Sequence, residues 1–450
     1  MQQILPKNLI LLAKACAKPL YLVGGAVRDY LAGFPLSKRI DLDICSPMPV
    51  DELITTAKAN GFSVKAIYRN TGTVKLADKQ GNDYEYTCFR SDRYVRGVHT
   101  PVSVYFTDDI KKDARRRDFT ANAVYYDIAA DCFQDPLDGI PAIREKRLTT
   151  VAPAQKVFGE DGLRLMRLAR QAAQLGFSPD GDCLLGAKQN AALIQDISPE
   201  RIFTELKLLL SADKKYGVKD GHYRGLKLLH EIGVLRYIFP ELAQGDKLSQ
   251  RADFHNYDVL EHSFKAALYA QEHVRLAALL HDIGKPLCML RDGNAHAHPQ
   301  EGKQLAICAL ERLKAPKKCT QDVAKLVALH MYDFNCKTGE NKLRRFFVEN
   351  YGILEDLLLI KQADFSACKD DLSPAPTCIK WRNLLAKMQA ENAPLTLKAL
   401  AVKGNELIEL GIPKPKIADV LHSLLIHAAC NPKDNQKERL CRMALHFARE

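Results

Sequence analysis

Hydrophobic and polar positions follow two different patterns along the chain, and the change falls near residue 157. Before it, short apolar or alternating segments are separated by turn residues, as in strands. After it, apolar residues recur at helical spacing almost throughout. The strands predicted from this pattern are Tyr21–Val23, Asp41–Cys45, Val64–Tyr68, Thr73–Leu76 and Tyr84–Phe89, and the clearest helices are Ala169–Leu175 and Ile202–Leu210. A mixed α/β region followed by a long helical region is therefore predicted.

Length and composition narrow the class of protein. A chain of 450 residues predicts two to four domains, and its 47% hydrophobic residues are enough to build their cores. The net charge of +11 favours a polyanionic partner, although it is a modest excess for this length. No apolar run approaches the roughly 18 residues of a membrane span. Thirteen cysteines without a C-x-x-C pair, and no secretory signal, predict reduced thiols and a cytoplasmic location.

Three short segments in the first third of the chain carry polar residues with a common chemical use. Gly24 and Gly25 form a turn after the first predicted strand, and glycine lets backbone N–H groups approach a phosphate chain closely. Asp41 and Asp43, two apart on a strand, point to the same face and can hold two divalent metal ions. The segment Arg115–Ala123 (RRRDFTANA) offers arginines for phosphate and Asp and Asn for ribose and base. Each signal is weak alone, but in this order they predict a nucleoside triphosphate site.

These motifs resemble those of a known family. GGAVRDYL, DLDI and RRRDFTANA are similar to the motifs of the class II tRNA nucleotidyltransferases, the CCA-adding enzymes, and of the related bacterial poly(A) polymerases. The similarity continues through Asp135–Gly139 (DPLDG) and Glu160–Arg167 (EDGLRLMR) and covers roughly residues 20 to 240. It implies that Asp41 and Asp43 bind Mg²⁺ and catalyse nucleotidyl transfer. Glu85 is either a third catalytic carboxylate or a charged residue on the solvent face of its strand.

The resemblance also implies a set of nucleotide contacts: Gly24, Gly25, Arg28, Arg117, Asp118, Asn122, Asp161, Arg164 and Arg167. Within it, Asp118 and Asn122 share one face if their segment is helical, and the family senses the ribose 2′-hydroxyl there. Asp161 and Arg164, at i and i+3 on a predicted helix, meet on one face. The family then implies that they imitate the edge of a template base and select C or A. The alternative for this pair is an ordinary surface ion pair.

Two further segments bear on which nucleotides are added. Residues 90–101 resemble the flexible loop with which full CCA-adding enzymes switch from CTP to ATP, but Arg96-Gly97 departs from the commonest acidic-Gly-Arg form. Addition of the terminal A is therefore open, and a poly(A) polymerase or an enzyme adding only CC or only A remains an alternative. Asn70–Val74 (NTGTV) is similar to the tRNA-specific branch of the family.

A second constellation lies in the C-terminal half. Histidines at 262, 296, 298 and 330 flank the dipeptide His281-Asp282, and Asp364 follows. This pattern resembles the HD phosphohydrolase superfamily, in which such residues bind one or two divalent metal ions. The resemblance implies His262, His281, Asp282 and Asp364 as core ligands and His298 and His330 as ligands of a second ion. Mixed imidazole and carboxylate ligands suit Mn²⁺, Ni²⁺, Co²⁺ or Fe²⁺.

The predicted architecture is α+β, with a mixed-sheet nucleotidyltransferase head followed by an all-α neck, an HD body and a helical tail. The predicted boundaries are 1–145, 146–245, 246–370 and 371–450. The predicted partners are tRNA, CTP and ATP, and the tail carries no recognisable motif. A rival from another class is a cyclic-nucleotide phosphohydrolase whose head only binds RNA, and the intact Asp41 and Asp43 speak against it.

Overall fold

A computed structural model describes residues 1–35, 42–95 and 98–448. The chain divides into two compact units, one formed by 1–243 with 312–314 and the other by 244–311 with 315–450. None of the helices in these described ranges is long and apolar enough to cross a membrane. All thirteen cysteines are free thiols.

The described strands lie in the first unit: β1 (Tyr21–Val23), β2 (Leu42–Ser46), β3 (Ser63–Tyr68), β4 (Thr73–Ala77), β5 (Asp83–Cys88), β6 (Arg90–Val95), β7 (Val98–Phe106), β8 (Tyr125–Asp127), β9 (Cys132–Gln134), β10 (Arg147–Leu148) and β11 (Ser178–Pro179). Seven of them form one sheet in the order β3-β4-β5-β2-β1-β8-β9, in which β2 and β5 run parallel and the other neighbours antiparallel. The parallel register sets Asp43 opposite Glu85. Strands β6 and β7 form a separate antiparallel ribbon.

Aromatic packing fixes the centre of the sheet. The ring of Tyr21 on β1 stacks on Phe89 at a centroid distance of 5.7 Å, and Tyr125 on β8 packs edge-on against both. All three side chains are buried. Such pairs stabilise by about 0.5–1.5 kcal/mol beyond the burial of their area. The strand that ends at Val23 is therefore held firmly where the glycine turn begins.

The helices of the first unit surround and follow this sheet: α1 (Lys7–Ala15), α2 (Gly25–Leu31), α3 (Val50–Ala59), α4 (Ile110–Arg115), α5 (Gly139–Arg144), α6 (Ala154–Glu160), α7 (Leu163–Leu175), α8 (Gly181–Asn190), α9 (Pro199–Leu210), α10 (Ala212–Tyr216), α11 (Gly221–Glu231), α12 (Leu235–Ile238) and α13 (Pro240–Ala243). Helix α7 is buried along most of its length and packs against α9, α10 and α11. Its polar residues therefore point into the interior of the unit.

Helices make up the second unit: α14 (Val259–Tyr269), α15 (Arg275–Leu280), α16 (Lys285–Asp292), α17 (His298–Arg312), α18 (Lys317–Leu329), α19 (Glu340–Glu349), α20 (Leu354–Lys369), α21 (Pro376–Ala390), α22 (Gly404–Glu409), α23 (Ile417–Cys430) and α24 (Lys437–Phe447). Its largest buried side chain, Trp381 on α21, packs against Tyr332, Phe346 and Phe347. The predicted fold class, a mixed-sheet head followed by helices, is confirmed. The domain boundaries within each unit stay predictions.

Candidate functional sites

The glycine turn and one aspartate meet at the end of the central strands. Gly24 caps α2 with a φ of 77°, a conformation that favours glycine. A Cβ atom on Gly24 would lie 3.1 Å from Oδ2 of Asp43, so glycine also leaves room beside this carboxylate. Asp43 itself lies on β2 with an exposed side chain. Asp41 lies outside the described residues.

A cavity of about 370 Å³ opens over this turn. Its lining residues are Gly24, Gly25, Arg28, Asp43, Arg116, Arg117, Asp118, Asn122, Asp161, Leu163, Arg164, Arg167, Arg170, Gln171, Arg201 and Lys215. Eight of these carry a positive charge and three a carboxylate. Such a surplus suits a ligand with several negative charges and a bound cation. The first unit therefore contains a pocket built for a polyanion.

Every sequence-predicted nucleotide contact lines this cavity, together with Asp43. Glu85 does not line it. Its side chain is 45% exposed, and its Oε2 lies 3.7 Å from Nζ of Lys75. Glu85 is nevertheless the register partner of Asp43 on the parallel strand. Its role as a third carboxylate therefore stays a prediction.

A buried hydrogen-bond network holds the polar floor of the cavity. Arg28 pairs with Asp29 at 2.6 Å and donates to Asn122 Oδ1 at 2.8 Å. Asn122 in turn donates to Asp118 Oδ1 at 2.8 Å. Gln171 on α7 joins these residues, because its Oε1 accepts from Arg28 and Asn122 and its Nε2 donates to Asp118. The glycine-turn helix and the Arg-rich segment are thus fixed to one another through a glutamine that the motifs did not single out.

Asp118 is held as a carboxylate within this network. Burial alone would raise its pKa, but the guanidinium of Arg167, at 2.6 Å, and the amide of Asn122 hold the pKa well below its usual range. The contact between Asp118 and Asn122 does not come from an α-helix, because only the short 3₁₀ turn Thr120–Asn122 forms there. The two side chains nevertheless meet, since Asp118 folds back across that turn.

The predicted helix face shared by Asp161 and Arg164 is wrong. Asp161 is the extended residue at the end of α6, and its Oδ1 accepts from the backbone N–H of Leu163 at 3.0 Å. Arg164 lies in the first turn of the next helix, α7. Gly162 makes the junction tight, because a Cβ there would lie 2.4 Å from the carbonyl oxygen of Leu193. A helix–helix junction, and not one helix face, brings the pair to the cavity.

Arg164 is fixed before any ligand binds. Its Nη1 donates to the carbonyl of Val157 at 2.8 Å and pairs with Glu160 at 3.0 Å. Its Nη2 donates to the carbonyl of Arg116 at 2.8 Å. The side chain is 6% exposed, so this guanidinium presents a defined edge to the cavity.

Another buried carboxylate organises the Arg-rich segment. Asp113 pairs with Arg116 at 2.7 Å and with Arg117 at 3.2 Å, and it accepts a hydrogen bond from the hydroxyl of Tyr125. Burial alone would raise the pKa of Asp113, but the two guanidinium groups lower it to about 2. The sequence analysis missed Asp113 because its position outside the motif gives no signal.

The second unit brings together the four residues that were predicted as core metal ligands. His262 lies on α14, His281 and Asp282 follow α15, and Asp364 lies on α20. Nε2 of His262 is 3.1 Å from Nε2 of His281, 3.4 Å from Asp282 Oδ2 and 3.0 Å from Asp364 Oδ1. Nε2 of His281 is 3.2 Å from Asp282 Oδ2 and 3.4 Å from Asp364 Oδ1. We call these four residues the first ligand set.

The other carboxylate oxygen of Asp282 faces a second group. Oδ1 of Asp282 lies 3.2 Å from Nε2 of His298 and 3.7 Å from Nε2 of His330, and the two imidazole nitrogens are 3.2 Å apart. We call Asp282, His298 and His330 the second ligand set. Asp282 therefore has one oxygen in each set.

Three of the imidazoles are held in one tautomer by the backbone. Nδ1 of His281, His298 and His330 lies 2.6–2.7 Å from a carbonyl oxygen three residues earlier in the chain. A neutral ring that donates from Nδ1 to a carbonyl has its lone pair on Nε2, the atom that ligates a metal ion once the ion has displaced any proton there. In each case this Nε2 faces its ligand set.

The donor set fits divalent metal ions. With ion–ligand bonds of about 2.1 Å, neighbouring ligands lie about 3.0 Å apart in an octahedron and about 3.4 Å apart in a tetrahedron. The spacings of 3.0–3.7 Å within the two sets are close to these values. Burial alone would lower the pKa of His281, but the carboxylates of Asp282 and Asp364 raise it to about 10. The first ligand set therefore attracts positive charge strongly.

Close packing places the second ligand set. A Cβ on Gly284 would lie 2.4 Å from the carbonyl oxygen of His298 and 2.7 Å from the nitrogen of Gly302. Glycine at this position therefore lets the turn after Asp282 contact the first residues of α17. Lys285 follows, and its ammonium lies 2.6 Å from Asp282 Oδ2 and donates to Gln250 Oε1 at 2.7 Å.

Comparison with known proteins matches three segments of the chain to family models. Residues 20–149 match the Poly A polymerase head domain, 176–245 the probable RNA and SrmB-binding site of polymerase A, and 255–364 the HD domain. The CCA-adding enzyme of Geobacillus stearothermophilus is 36% identical over 265 residues, which cover 59% of each chain. That of Lactococcus lactis is 35% identical over 224 residues, 49% of this chain and 52% of the relative. The aligned part thus spans somewhat more than half the length of these relatives.

Solved structures extend the likeness over the whole chain. The Bacillus stearothermophilus CCA-adding enzyme in complex with CTP has a TM-score of 0.67 at 27% identity and covers 98% of this chain and 97% of its own. The Thermotoga maritima CCA-adding enzyme complexed with tRNA has the same fold, with a TM-score of 0.61 at 18% identity and coverage of 98% and 96%. The predicted similarity to CCA-adding enzymes that carry an HD domain is confirmed.

Proposed function

We propose that this protein adds the sequence CCA, from CTP and ATP, to the 3′ end of tRNA. The observation that carries the proposal is the cavity over the glycine turn, where Asp43 and every sequence-predicted nucleotide contact converge. The excess of positive charge suits a triphosphate and an RNA 3′ end. The similar proteins are named CCA-adding enzymes, and one solved relative holds CTP.

In this proposal the polar groups of the cavity divide the work. Phosphoryl transfer needs positioning and charge neutralisation more than covalent help from the protein. Arg28 and Arg117 contact the phosphates, while Asp118 and Asn122 bind the ribose. Asp43 and Asp41, with Glu85 as a candidate third carboxylate, would hold Mg²⁺, which supplies activation of the primer's 3′-hydroxyl and neutralisation of the triphosphate.

Base selection is assigned to Asp161 and Arg164. The carboxylate accepts and the guanidinium donates, so together they offer a donor–acceptor edge of the kind that a base presents. Glu160 and the carbonyls of Val157 and Arg116 hold Arg164 in one orientation, which a template edge requires. Arg167, bound to Asp118, links this edge to the ribose site.

Nucleotide incorporation into a defined tRNA tests the function. The substrates are tRNA lacking CCA and tRNA ending in CC, each with the four nucleoside triphosphates singly and mixed. We expect two additions to the first substrate with CTP alone, one to the second with ATP alone, and three with both. Repeated addition from ATP alone would instead identify a poly(A) polymerase, and arrest after two residues in the mixture would identify a CC-adding enzyme.

We further propose that the HD half hydrolyses a phosphoester with divalent transition metals. Both ligand sets combine imidazole and carboxylate, which suits Mn²⁺, Ni²⁺, Co²⁺ or Fe²⁺. Such ions supply Lewis-acid activation of water and of a phosphate oxygen. Lys285, beside Asp282, is placed to contact the substrate phosphate. Asp364 is the most exposed member of the first set, at 23%, so substrate is expected to approach from its side.

Phosphate release separates this second activity from the first. The protein is incubated with a 2′,3′-cyclic phosphate or a phosphomonoester and with Mn²⁺, Ni²⁺, Co²⁺ or Mg²⁺ in turn. We expect metal-stimulated hydrolysis by the wild type. A protein that takes up no transition metal and hydrolyses none of these esters would contradict the proposal. Hydrolysis without any nucleotide incorporation would favour the rival phosphohydrolase with an RNA-binding head. A reducing cytoplasm, consistent with the free cysteines, is the proposed site of both activities.

A further inference from the structure

The loop that follows α18 carries one member of the second ligand set. It runs from His330 to Gly339 and connects α18 to α19. Two of its residues, Asp333 and Cys336, have φ values of 57° and 56°, in the left-handed region that side chains other than glycine rarely adopt. A loop with this backbone keeps its shape only where surrounding groups hold it.

A buried lysine holds the first part of the loop. Nζ of Lys361, on α20, donates to the carbonyl oxygen of His330 at 2.7 Å and to that of Tyr332 at 2.6 Å. The same ammonium lies 4.9 Å from the ring centroid of Trp381 on α21, within the range of a cation–π contact. Lys361 is 6% exposed. The backbone of His330 is thus bonded directly to a charged group that Trp381 covers.

The middle of the loop is held by the tail helix α21. The Asp333 carboxylate, fully buried, pairs with Lys380 at 3.0 Å and accepts from the indole N–H of Trp381 at 3.1 Å. Lys380 also donates to the carbonyls of Cys336 at 2.9 Å and Thr338 at 2.7 Å. Two adjacent residues of α21 therefore satisfy one buried carboxylate and two loop carbonyls.

We propose that α21 is a support for the second ligand set, and that Lys361, Lys380 and Trp381 are positioning residues which fix His330. The inference rests on the proposed metal-dependent function of the HD half. The first ligand set lies on α14 and α20 and after α15, so none of its members belongs to the His330 loop. The second set has three protein ligands, one of which, Asp282, is shared. A displacement of His330 therefore weakens the second ion selectively.

Cobalt titration of the full-length protein tests this role. Every variant also carries Asp43→Ala, so that this head carboxylate does not contribute to metal uptake. Metal-free protein is titrated with Co²⁺, and the visible absorption of the bound ion and its stoichiometry by equilibrium dialysis are recorded. We expect two ions in the parent and one in His330→Ala. Lys380→Met and Trp381→Phe should bind the first ion as the parent does and the second at least tenfold more weakly.

Matched variants keep the result interpretable. Lys387→Met removes the same charge from the same helix, but Lys387 pairs with the exposed Glu340, and we expect both ions to bind normally. Lys380→Arg should restore part of the second affinity. If Lys380→Met does not fold, as judged by its thermal unfolding, Trp381→Phe decides alone, because it removes the indole donor and keeps an aromatic ring.

Two outcomes would overturn the support role. Unchanged binding of both ions in Lys380→Met and Trp381→Phe would show that α21 does not position His330. Equal weakening of both ions would show that α21 only stabilises the unit as a whole. If the parent itself takes up no second ion, the proposed two-ion site is wrong, and the support role is wrong with it. The two preceding outcomes, in a parent that binds two ions, contradict the support role alone.

Discussion

The two halves of the protein differ in the charge of the ligand that each site suits. In the head cavity, eight positively charged side chains exceed three carboxylates, and most of its arginines already have carboxylate partners, such as Asp118 for Arg167 and Glu205 for Arg170. In the HD half, the ligand atoms lie 3.0–3.7 Å apart in a buried cluster. The head cavity therefore suits an anionic ligand that arrives with bound metal ions. The buried HD cluster suits metal ions alone.

The two sites also differ in which of their groups are oriented before a ligand binds. Three of the four imidazoles of the HD cluster are oriented by backbone carbonyls, so their Nε2 atoms are in place before any ligand binds. In the head, Asp43 is the described candidate Mg²⁺ ligand that lines the cavity with an exposed side chain, and the proposed base selection rests on the fixed Arg164. A triphosphate has to bring part of the metal coordination with it, as is usual for Mg²⁺ sites. We therefore expect the two halves to fail independently.

Asp43→Ala should have the largest effect. Loss of this carboxylate removes a proposed Mg²⁺ ligand, and we expect nucleotide addition to fall at least about a thousandfold, or about 4 kcal/mol of transition-state stabilisation. Binding of tRNA and metal-dependent hydrolysis should be unchanged. Primer extension with CTP measures the first effect and phosphate release the second. Asp83→Ala, which removes an exposed aspartate of β5 paired with Lys65 of β3, is the control. Near-normal incorporation by Asp43→Ala would contradict the assignment.

Asp282→Ala should produce the reverse pattern. Because its two oxygens face different ligand sets, we expect uptake of both ions to be lost and hydrolysis to fall at least about a hundredfold. CCA addition should continue at the wild-type rate. His298→Ala should lose only the second ion. His273→Ala, which removes an exposed histidine paired with Asp356, should lose neither. Retention of one tightly bound ion in Asp282→Ala would show that the carboxylate is not shared.

The sequence predicted which head residues come together, because their signals are local. Three segments are each recognisable from a few consecutive residues: the glycine turn, the strand that carries Asp43 and the Arg-rich segment. The structure brings them to one cavity. It failed where local spacing misleads. Asp161 and Arg164 have the i, i+3 spacing of one helix, but Gly162 allows two helices to meet between them.

Residues that act from a distance could not be predicted. Lys215 and Arg201 line the cavity from helices far along the chain, and nothing in their own segments marks them. Arg170 and Gln171 are different, because they follow Arg167 at spacings of three and four on α7, and helical periodicity would have found them. The contacts of the tail helix α21 gave no motif, because they are hydrogen bonds to the loop that follows His330.

Base selection allows a finer test of the head. Asp161→Ala and Arg164→Ala should slow addition of C and A by about tenfold to a hundredfold, because a donor–acceptor edge of this kind discriminates by about 1–3 kcal/mol. They should also raise misincorporation of UTP and GTP. Arg147→Ala, in which an exposed arginine paired with Glu145 is removed, controls for loss of charge. Mutants that are slower yet fully selective would assign the pair a structural role only.

The smallest predicted effect concerns Gln171, which joins Arg28, Asn122 and Asp118 below the cavity. Gln171→Leu keeps the volume but removes these hydrogen bonds, each of which contributes about 1 kcal/mol. We expect about a tenfold loss in the preference for CTP over dCTP, because Asp118 and Asn122 then hold the ribose less firmly. Gln174→Leu, at the next buried glutamine of α7, removes a bond to Arg170 and should leave the preference unchanged. The ratio of kcat/KM for the two nucleotides measures the effect. An equal fall for CTP and dCTP would mean that Gln171 only stabilises the head, and that the ribose is held by Asp118 and Asn122 without it.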